Sequence, residues 1–345
     1  MSSSDSSTKK RHPIGRFFAF LGVTLLCVIL TLLGLIWVLE RGPSPTITGM
    51  FTRSVRETSA IRWISNIFLS EEELENYKSV STENTVTEAV NTSLIHIEKG
   101  TEALPPSESI RLVDIAEGTC KGKLLIVSDP KQVILGTSDE FVRQPGLLLT
   151  DMVAKYDGIA GINAGGFNDE NGSGNGGIPQ GLVITNGEVI WGDANTPYHM
   201  VGLDADGILH VGAMSGNTAV EQGIQWAVSF ITHDGLASSL IINGEVQRQN
   251  LGGGVNPRTA LGQRADGALL LLVLDGRSIN TLGATMEDVV NIMLEYGAVN
   301  AGNLDGGSSS VMVYDGEIIN HCASVTGPRR IPTGFIVLKE GASHV

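Results

Sequence analysis

The stretch NPRTALGQRADGALLLLVLDGR, from Asn256 to Arg277, contains two apolar runs separated by the dipeptide Asp266-Gly267. An Asp-Gly pair between apolar segments favours a tight hairpin turn, because glycine accepts the positive φ that such a turn requires. The second run, Leu269–Leu274, is uninterrupted by any polar residue and predicts a strongly apolar strand. This stretch therefore predicts two adjacent antiparallel strands.

The same turn signal recurs in the chain after residue 110. Four further pairs lie between apolar segments: Asn186-Gly187, Asp206-Gly207, Asn243-Gly244 and Asp315-Gly316. A helix is predicted from Thr285 to Tyr296, where Thr285 can cap the N-terminus and apolar side chains recur at helical spacing. The sequence therefore predicts an α+β fold with a hairpin-rich mixed or antiparallel sheet, a few packed helices and one preceding transmembrane helix.

The N-terminal region indicates a membrane anchor. Residues 17–39 carry no charge and are long enough to cross a bilayer as a helix. The head, residues 1–16, contains four cations and one acid, which predicts a cytoplasmic position under the positive-inside bias. A secretory signal peptide is the competing interpretation, but Glu40–Pro43 lacks a small-residue cleavage site. We expect a single-pass plasma-membrane protein whose C-terminal part is extracytoplasmic.

The remaining chain divides into two parts. Residues 40–105 are interpreted as a stalk or spacer with an amphipathic helix over Ile61–Leu74, and residues 106–345 as the folded domain. Cys120 and Cys322, both outside the apolar run, could form a disulfide or remain two small buried hydrophobes. The cysteine spacing predicts no zinc site.

The charge balance restricts the class of partner. The 345-residue chain has a formal net charge of −14 at pH 7, which is unlike the basic profile of nucleic-acid-binding proteins. An anionic substrate must therefore be bound by locally placed cations.

Three polar clusters containing glycine lie beside apolar strands. They are Gly161–Phe167 (GINAGGF), Asn256–Gly262 (NPRTALG) and Asn303–Ser310 (NLDGGSSS). Successive glycines allow several N–H groups to face one anionic oxygen, and an adjacent arginine can bind the same phosphate through two parallel hydrogen bonds. The clusters thus predict an oxyanion or phosphate pocket. In the alternative, the glycines serve tight turns, Asn163 and Asp305 cap main-chain amides, and Arg258 forms a surface ion pair.

Three further motifs accompany these clusters: LDGR at Leu274–Arg277, GATMEDVV at 283–290 and GPRRIPTGFIV at 327–337. Together, the clusters and motifs resemble the phosphodiester glycosidase family over Ile110–Leu338. The resemblance assigns substrate contacts to Asn163, Gly165, Gly166, Arg258, Thr259, Arg277, Asn303, Gly306, Gly307, Ser308 and Arg330. Two positions depart from the family pattern. Ala164 separates Asn163 from the glycines, and Pro328-Arg329-Arg330 leaves the tail arginine ambiguous by one residue.

The resemblance implies hydrolysis of a sugar-1-phosphodiester at the anomeric carbon, which releases free sugar and a phosphomonoester. The substrate class expected for an anchored enzyme is a cell-envelope glycan or a teichoic-acid-like polymer. Asp305 is expected to be the essential carboxylate, as a base toward water or as a stabiliser of an oxocarbenium-like centre, with Asp275 as the second carboxylate. No cofactor is predicted, although Asp305, Asn303 and Asp275 could hold a divalent cation.

Two other functions remain open at this level. A non-catalytic envelope protein could bind phosphorylated glycan through the same residues and assist exopolysaccharide assembly. A phosphodiesterase could instead cleave the P–O bond and leave sugar-1-phosphate. Turnover of a diester would distinguish a hydrolase from the binding protein. The product that carries ¹⁸O from labelled water would distinguish the glycosidase from the phosphodiesterase.

Overall fold

The structure is a computed structural model that describes residues 13–77, 89–97, 109–169, 174–230, 238–247, 253–278, 280–324 and 326–339. Its α-helices are α1 Pro13–Arg41, α2 Pro45–Arg56, α3 Glu71–Glu75, α4 Leu149–Lys155, α5 Gly216–Glu221 and α6 Met286–Glu295. Short 3₁₀ helices cover Ser59–Asn66, Thr92–Leu94, Pro130–Gln132 and Gly307–Ser309.

The strands are, in chain order, β1 Ile110–Glu117, β2 Cys120–Val127, β3 Val133–Thr137, β4 Gly158–Asn163, β5 Val183–Thr185, β6 Glu188–Trp191, β7 Pro197–Asp204, β8 Leu209–Ser215, β9 Ile224–Ser229, β10 Ser239–Ile242, β11 Glu245–Val246, β12 Arg258–Arg264, β13 Leu269–Leu274, β14 Ala298–Asn303, β15 Met312–Tyr314, β16 Glu317–Ile318 and β17 Thr333–Leu338. In the described residues they form three antiparallel sheets, with the orders β1-β2-β13-β12-β14-β10-β11, β16-β15-β4-β17-β3 and β6-β5-β9-β7-β8. The α+β prediction with hairpin-rich sheets is confirmed.

The apolar strand β13 lies near the middle of the seven-stranded sheet and is buried throughout. Its odd-numbered residues enter the central core, which receives side chains from all three sheets. Its even-numbered residues pack on the other face, against the apolar side of α6. Successive side chains of a strand point to opposite faces, so a strand covered on both faces has an unbroken apolar sequence.

All five predicted turn dipeptides connect adjacent antiparallel strands. At Asn186-Gly187, Asn243-Gly244 and Asp315-Gly316, both residues have positive φ. This is the backbone twist that matches the twist of the flanking strands. Helix α6 is also as predicted: Thr285 caps it, and Asp288 completes a reciprocal capping box.

The N-terminal segments differ in part from the expectation. Helix α1 is the one helix in the described residues that is long and apolar enough to cross a membrane. The amphipathic helix expected over Ile61–Leu74 is divided into the 3₁₀ helix Ser59–Asn66 and the short α3. The division arises because Glu40 accepts from the Phe68 amide and Arg41 donates to its carbonyl, while Ser70 starts a new capped helix.

Helix α2 does not extend freely from the end of α1. Ser44 caps it, with Pro45 at its first position. Its C-terminal half packs closely on the turn before β12: a Cβ at Gly254 would lie only 2.2 Å from the Ser54 nitrogen. Residues 45–58 therefore contact the sheet domain directly.

Cys120 and Cys322 are both free thiols. Burial, together with the nearby Asp288 and Glu117, raises the pKa of the Cys120 thiol to about 11. Burial also raises the pKa of Cys322, which lies near the charge of Asp275. Of the two alternatives, the structure contains two free thiols, with Cys120 buried and Cys322 partly exposed.

Candidate functional site

The three glycine-containing clusters converge where β4 ends, β12 begins and β14 ends. Asn303, the last residue of β14, is paired with Ala260 of β12. The chain then turns, and the Asp305 amide donates to the Ala164 carbonyl over 2.9 Å. Strand pairing within one sheet and main-chain hydrogen bonds to a second sheet thus bring the clusters together at the junction of the two sheets.

Asn163 is buried at the centre of this junction. Its Nδ2 donates to the Asp305 carbonyl over 2.5 Å, and its Oδ1 accepts from the Thr259 hydroxyl at 2.9 Å and from the Val311 amide at 3.0 Å. Thr259 is fully buried as well and contacts the Ser310 hydroxyl at 3.2 Å. Their burial places both side chains behind the surface of the site.

Asp305 is partly exposed in this junction. Burial raises the pKa of Asp305 to about 7. Hydrogen bonds from the Ser309 side chain and the Gly306 amide lower the pKa, as does the charge of Arg329, whereas Asp169 raises it. A carboxyl group with a pKa near neutrality is present in both protonation states and can take or give a proton.

Arg329 is the cation of the tail segment that lies beside Asp305. Its guanidinium forms a two-point ion pair with Asp169, with N–O distances of 2.6 and 2.8 Å, and lies 4.9 Å from the centre of the Phe167 ring. Its Nη1 also lies 3.4 Å from the Ser308 hydroxyl. Arg330, named from the sequence, is exposed and donates instead to the Gly146 carbonyl.

Asp169 was missed by the sequence reasoning. It lies two residues after the cluster Gly161–Phe167, and its side chain also accepts from the Gly174 amide at 2.7 Å. An acidic residue directly after a glycine-containing cluster is the one sequence signal that could have identified it. Its pairing with Arg329 depends on a contact across 160 positions, which no local pattern predicts.

Arg258 lies behind the site and has a buried partner that the sequence did not indicate. The side chain is only 6% exposed, and its Nη2 is 3.0 Å from Oε2 of Glu57, which follows α2. The same guanidinium donates to the carbonyls of Gly254 and Ala284. In this arrangement the guanidinium of Arg258 hydrogen-bonds to groups of the protein itself.

Arg277 lies beside Gly307, two residues after Asp305. Its Nη2 donates to the Thr58 hydroxyl at 2.7 Å and to the Asn256 side-chain oxygen at 2.9 Å. Burial lowers the pKa of Arg277; the charges of Glu57 and Asp305 raise it, and that of Arg258 lowers it. The Asp305 carboxylate is thus one of the two anions whose charge acts on this guanidinium.

The glycines of the third cluster shape this contact. Gly307 has a φ of +61°, and a Cβ there would lie 3.2 Å from the Arg277 guanidinium. The Gly307 amide donates to the Pro257 carbonyl at 2.9 Å, and the Gly306 carbonyl accepts from Ser309 at 3.1 Å. Gly307 therefore allows Arg277 to approach closely, and Gly306 allows close approach of the Pro257 carbonyl, which a Cβ would meet at 2.8 Å. Several main-chain groups of the cluster bond within the protein.

The glycines of the first cluster serve close packing. The Gly165 amide donates to the Thr333 hydroxyl at 3.0 Å. A Cβ at Gly166 would lie 2.9 Å from the side-chain oxygen of Gln180. Both glycines therefore allow β4 to turn tightly into the junction, against β17 and the segment that precedes β5.

Asp275 and Asn303 occupy separate positions around this centre. Burial raises the pKa of Asp275, and its Oδ1 accepts from the His321 amide at 2.9 Å and from Asn320 at 3.3 Å. Asn303 is buried, and its Oδ1 has no hydrogen-bond partner among the described residues. The described residues contain no group of three or more His, Cys, Asp or Glu side chains placed to hold a metal ion.

Comparison with known proteins places these residues in one family. The family described as phosphodiester glycosidase matches residues 156–338 of this chain. The matched region begins just before β4 and ends with β17. It contains the clusters around Asn163, Arg258 and Asp305 as well as the Asp169–Arg329 pair.

Solved structures and a curated relative give further matches. The catalytic domain of zebrafish N-acetylglucosamine-1-phosphodiester alpha-N-acetylglucosaminidase, auto-inhibited by its pro-peptide, matches with a TM-score of 0.56 and 20% identity over 71% of this chain and 87% of that one. A putative exported protein from Burkholderia pseudomallei K96243 matches with a TM-score of 0.47 and 15% identity over 65% and 75%. The zebrafish match shows a shared fold.

One curated protein matches over a short stretch. The SPbeta prophage-derived uncharacterized protein YomE of Bacillus subtilis strain 168 is 44% identical over 66 residues, which is 19% of this chain. The match covers 10% of the length of YomE.

Proposed function

Because the chain belongs to the phosphodiester glycosidase family, we propose that it hydrolyses a sugar-1-phosphodiester at the anomeric carbon. The observation that carries this proposal is Asp305, whose carboxyl has a pKa of about 7 and interacts electrostatically with two arginines, Arg277 and Arg329. A proton-exchanging group beside fixed cations suits a reaction in which a phosphate departs and water is activated.

The proposed reaction breaks the bond between the anomeric carbon and the phosphate oxygen. Water adds to the anomeric carbon, its hydroxyl stays with the sugar, and the electron pair of the broken bond leaves with the phosphomonoester. The Asp305 carboxylate takes the proton from water or stabilises the cationic centre, and later returns any proton to solvent. Arg277 and Arg329 stabilise the leaving phosphate, so less acid catalysis is needed than for an ordinary glycoside.

The substrate class follows from local charge and from the N-terminal helix. The chain as a whole is acidic, so an anionic phosphodiester is attracted only by cations placed at the site. We place α1 in the plasma membrane with the N-terminus in the cytoplasm, because cations precede it. The domain is then extracytoplasmic, and its substrate is a phosphodiester-linked glycan or teichoic-acid-like polymer of the cell envelope.

The test is turnover by the full-length chain in detergent. The substrates are α- and β-linked N-acetylglucosamine-1-phosphodiesters, and products are followed by ³¹P and ¹H NMR in H₂¹⁸O. Free sugar carrying ¹⁸O and unlabelled phosphomonoester are expected. Label in the phosphate would indicate cleavage of the P–O bond instead. Saturable binding without turnover would replace the hydrolase with a phosphoglycan-binding protein.

A further inference from the structure

The segment that links α2 to the following 3₁₀ helix lies against the site turn at residues 253–257. Both Glu57 oxygens are used there: Oε1 accepts from the Gly254 amide at 3.0 Å, and Oε2 accepts from the Asn256 side-chain amide at 2.6 Å and pairs with Arg258. The Glu57 side chain is 9% exposed. Three contacts of a buried carboxylate are more than an exposed surface ion pair provides.

Two further contacts extend from this carboxylate toward Asp305. Asn256 donates to Glu57 and accepts from Arg277. The hydroxyl of Thr58, which follows Glu57 in the chain, accepts from the same Arg277 nitrogen at 2.7 Å. Glu57 and Thr58 therefore hold the Arg277 guanidinium in place beside Gly307, where the charge of Asp305 acts on it.

Charge gives a second reason for this arrangement. Arg258 and Arg277 are both largely buried and repel each other, since each like charge disfavours the protonated form of its neighbour. The Glu57 carboxylate interacts with both guanidiniums. Without this counter-ion, we expect the two cations to move apart, and Arg277 is the one whose guanidinium lies beside Gly307 of the third cluster.

The segment does not cover the reacting surface. The third-cluster residues Asp305, Gly306, Gly307 and Ser308 all remain partly exposed with the segment in place. The contacts of Glu57 are with the turn at residues 253–257 and with buried Arg258. The contacts thus have the geometry of a support behind the site.

We propose that Glu57 and Thr58 are positioning residues, supplied by the chain next to the N-terminal helix, which hold Arg277 against Asp305. The site is complete only when this segment is docked. The inference rests on the proposed function for its catalytic consequence, whereas the positioning of Arg277 can be measured without turnover.

The sharpest test changes Thr58 while leaving the buried ion pair intact. Thr58→Val keeps the shape and removes the acceptor for Arg277, whereas Thr58→Ser keeps the hydroxyl. In the full-length chain in detergent, Thr58→Val should lower kcat/KM by roughly 10²-fold, since a displacement of about 1 Å near the reacting groups has that effect. Thr58→Ser should remain within about threefold of the wild type.

A second measurement does not require activity. The carboxyl of Asp305 is titrated by ¹³C NMR in full-length protein labelled at aspartate, and its signal is assigned by its loss in Asp305→Asn. The charged groups that face this carboxyl are Asp169, Arg329 and Arg277. Displacing Arg277 removes a cation, so Thr58→Val should move the titration to higher pH, and Thr58→Ser should not.

Glu57→Gln tests the counter-ion directly, because it keeps the side-chain shape and removes the charge. It should produce the same upward displacement of the Asp305 titration. Two controls lie in the same part of the chain. Glu72→Gln alters an exposed carboxylate, and Glu73→Gln breaks the ion pair with Arg41. Both should leave the Asp305 titration in place.

The outcomes separate this inference from the proposed function. If the wild type turns over no diester but the titration moves in Thr58→Val, the hydrolase proposal fails and the positioning role stands. If turnover occurs and Thr58→Val matches the wild type in both measurements, the positioning role fails. A gain of turnover in Glu57→Gln or Thr58→Val would also overturn it, because the segment would then be an inhibitor.

Discussion

The Asn163 side chain donates to the main-chain carbonyl of Asp305 over 2.5 Å, across 142 positions of the sequence. The same side chain accepts from Thr259 and Val311. One buried amide therefore joins the three glycine-containing clusters and sets the main-chain position of the residue that we propose as the essential carboxylate. The side-chain nitrogen and the side-chain oxygen of Asn163 both have hydrogen-bond partners, as buried polar groups require.

Replacement of Asn163 by alanine should destabilise the fold. It leaves the Thr259 hydroxyl, the Val311 amide and the Asp305 carbonyl without this partner, and we expect a loss of about 3 kcal/mol in the free energy of unfolding. Urea denaturation monitored by tryptophan fluorescence measures it. The exposed Asn217→Ala is the matched control, with an expected change within about 0.5 kcal/mol. Equal losses in the two variants would contradict the structural role of Asn163.

Catalysis should depend on the ionised form of Asp305. With its pKa at about 7, kcat/KM should rise as pH increases through that value, because either proposed role requires the carboxylate. Asp305→Asn should lower kcat by roughly 10²- to 10⁴-fold at pH 7.5 and abolish this limb of the profile. Full activity in Asp305→Asn would transfer the role to another carboxylate, of which Asp275 is the one named from the sequence.

The same carboxyl should make stability depend on pH. The native pKa of about 7 is higher than the ordinary value of 3.8 for an aspartate, so the native state binds the extra proton between these pH values. Stability contributed by this group is full below about pH 4 and decreases as pH rises toward 7.

Removing the charge should reverse that loss. Asp305→Asn is expected to unfold at higher urea than the wild type at pH 8, by up to about 4 kcal/mol in free energy. At pH 4 the two proteins should unfold alike. A lower stability of Asp305→Asn than of the wild type at pH 8 would show that the native state does not disfavour the charged form of this carboxyl.

Arg329 should matter more than its neighbour Arg330. Arg329→Ala leaves the Asp169 carboxylate without its two-point partner and removes a cation from Asp305, so kcat/KM should decrease by roughly 10²-fold and the activity limb should move to higher pH. Arg330→Ala removes one exposed guanidinium and should have a smaller effect with no movement of the limb. The measurement is the pH dependence of kcat/KM in the two variants. A larger loss in Arg330→Ala than in Arg329→Ala would assign the role to Arg330 instead.

The three cysteines should all react as thiols. Cys120 and Cys322 are free, and each lies beside a carboxylate, Asp288 and Asp275 respectively. Titration with a chromogenic disulfide reagent in guanidinium, without reductant, should count three thiols per chain, including Cys27. One thiol per chain would indicate the Cys120–Cys322 disulfide.

The local sequence was sufficient to predict five hairpin turns and the strand character of the apolar runs beside them. The Asp266-Gly267 pair and the unbroken Leu269–Leu274 run identify a hairpin and a strand covered on both faces, because turn geometry and side-chain alternation act over a few residues. The capping box of Thr285 and Asp288 is likewise a contact over three positions. The clusters at Asn163, Arg258 and Asp305 were also recognised from their composition.

The roles within the site depended on tertiary structure. Arg258 was expected to bind phosphate, but the fold buries it against Glu57, about two hundred positions away. The fold also places Arg329 beside Asp305 and pairs it with Asp169. Burial and long-range charge set the pKa of Asp305, and neither can be read from its neighbours in the chain. Sequence alone therefore determined which residues were available, and packing of distant segments decided which of them face one another.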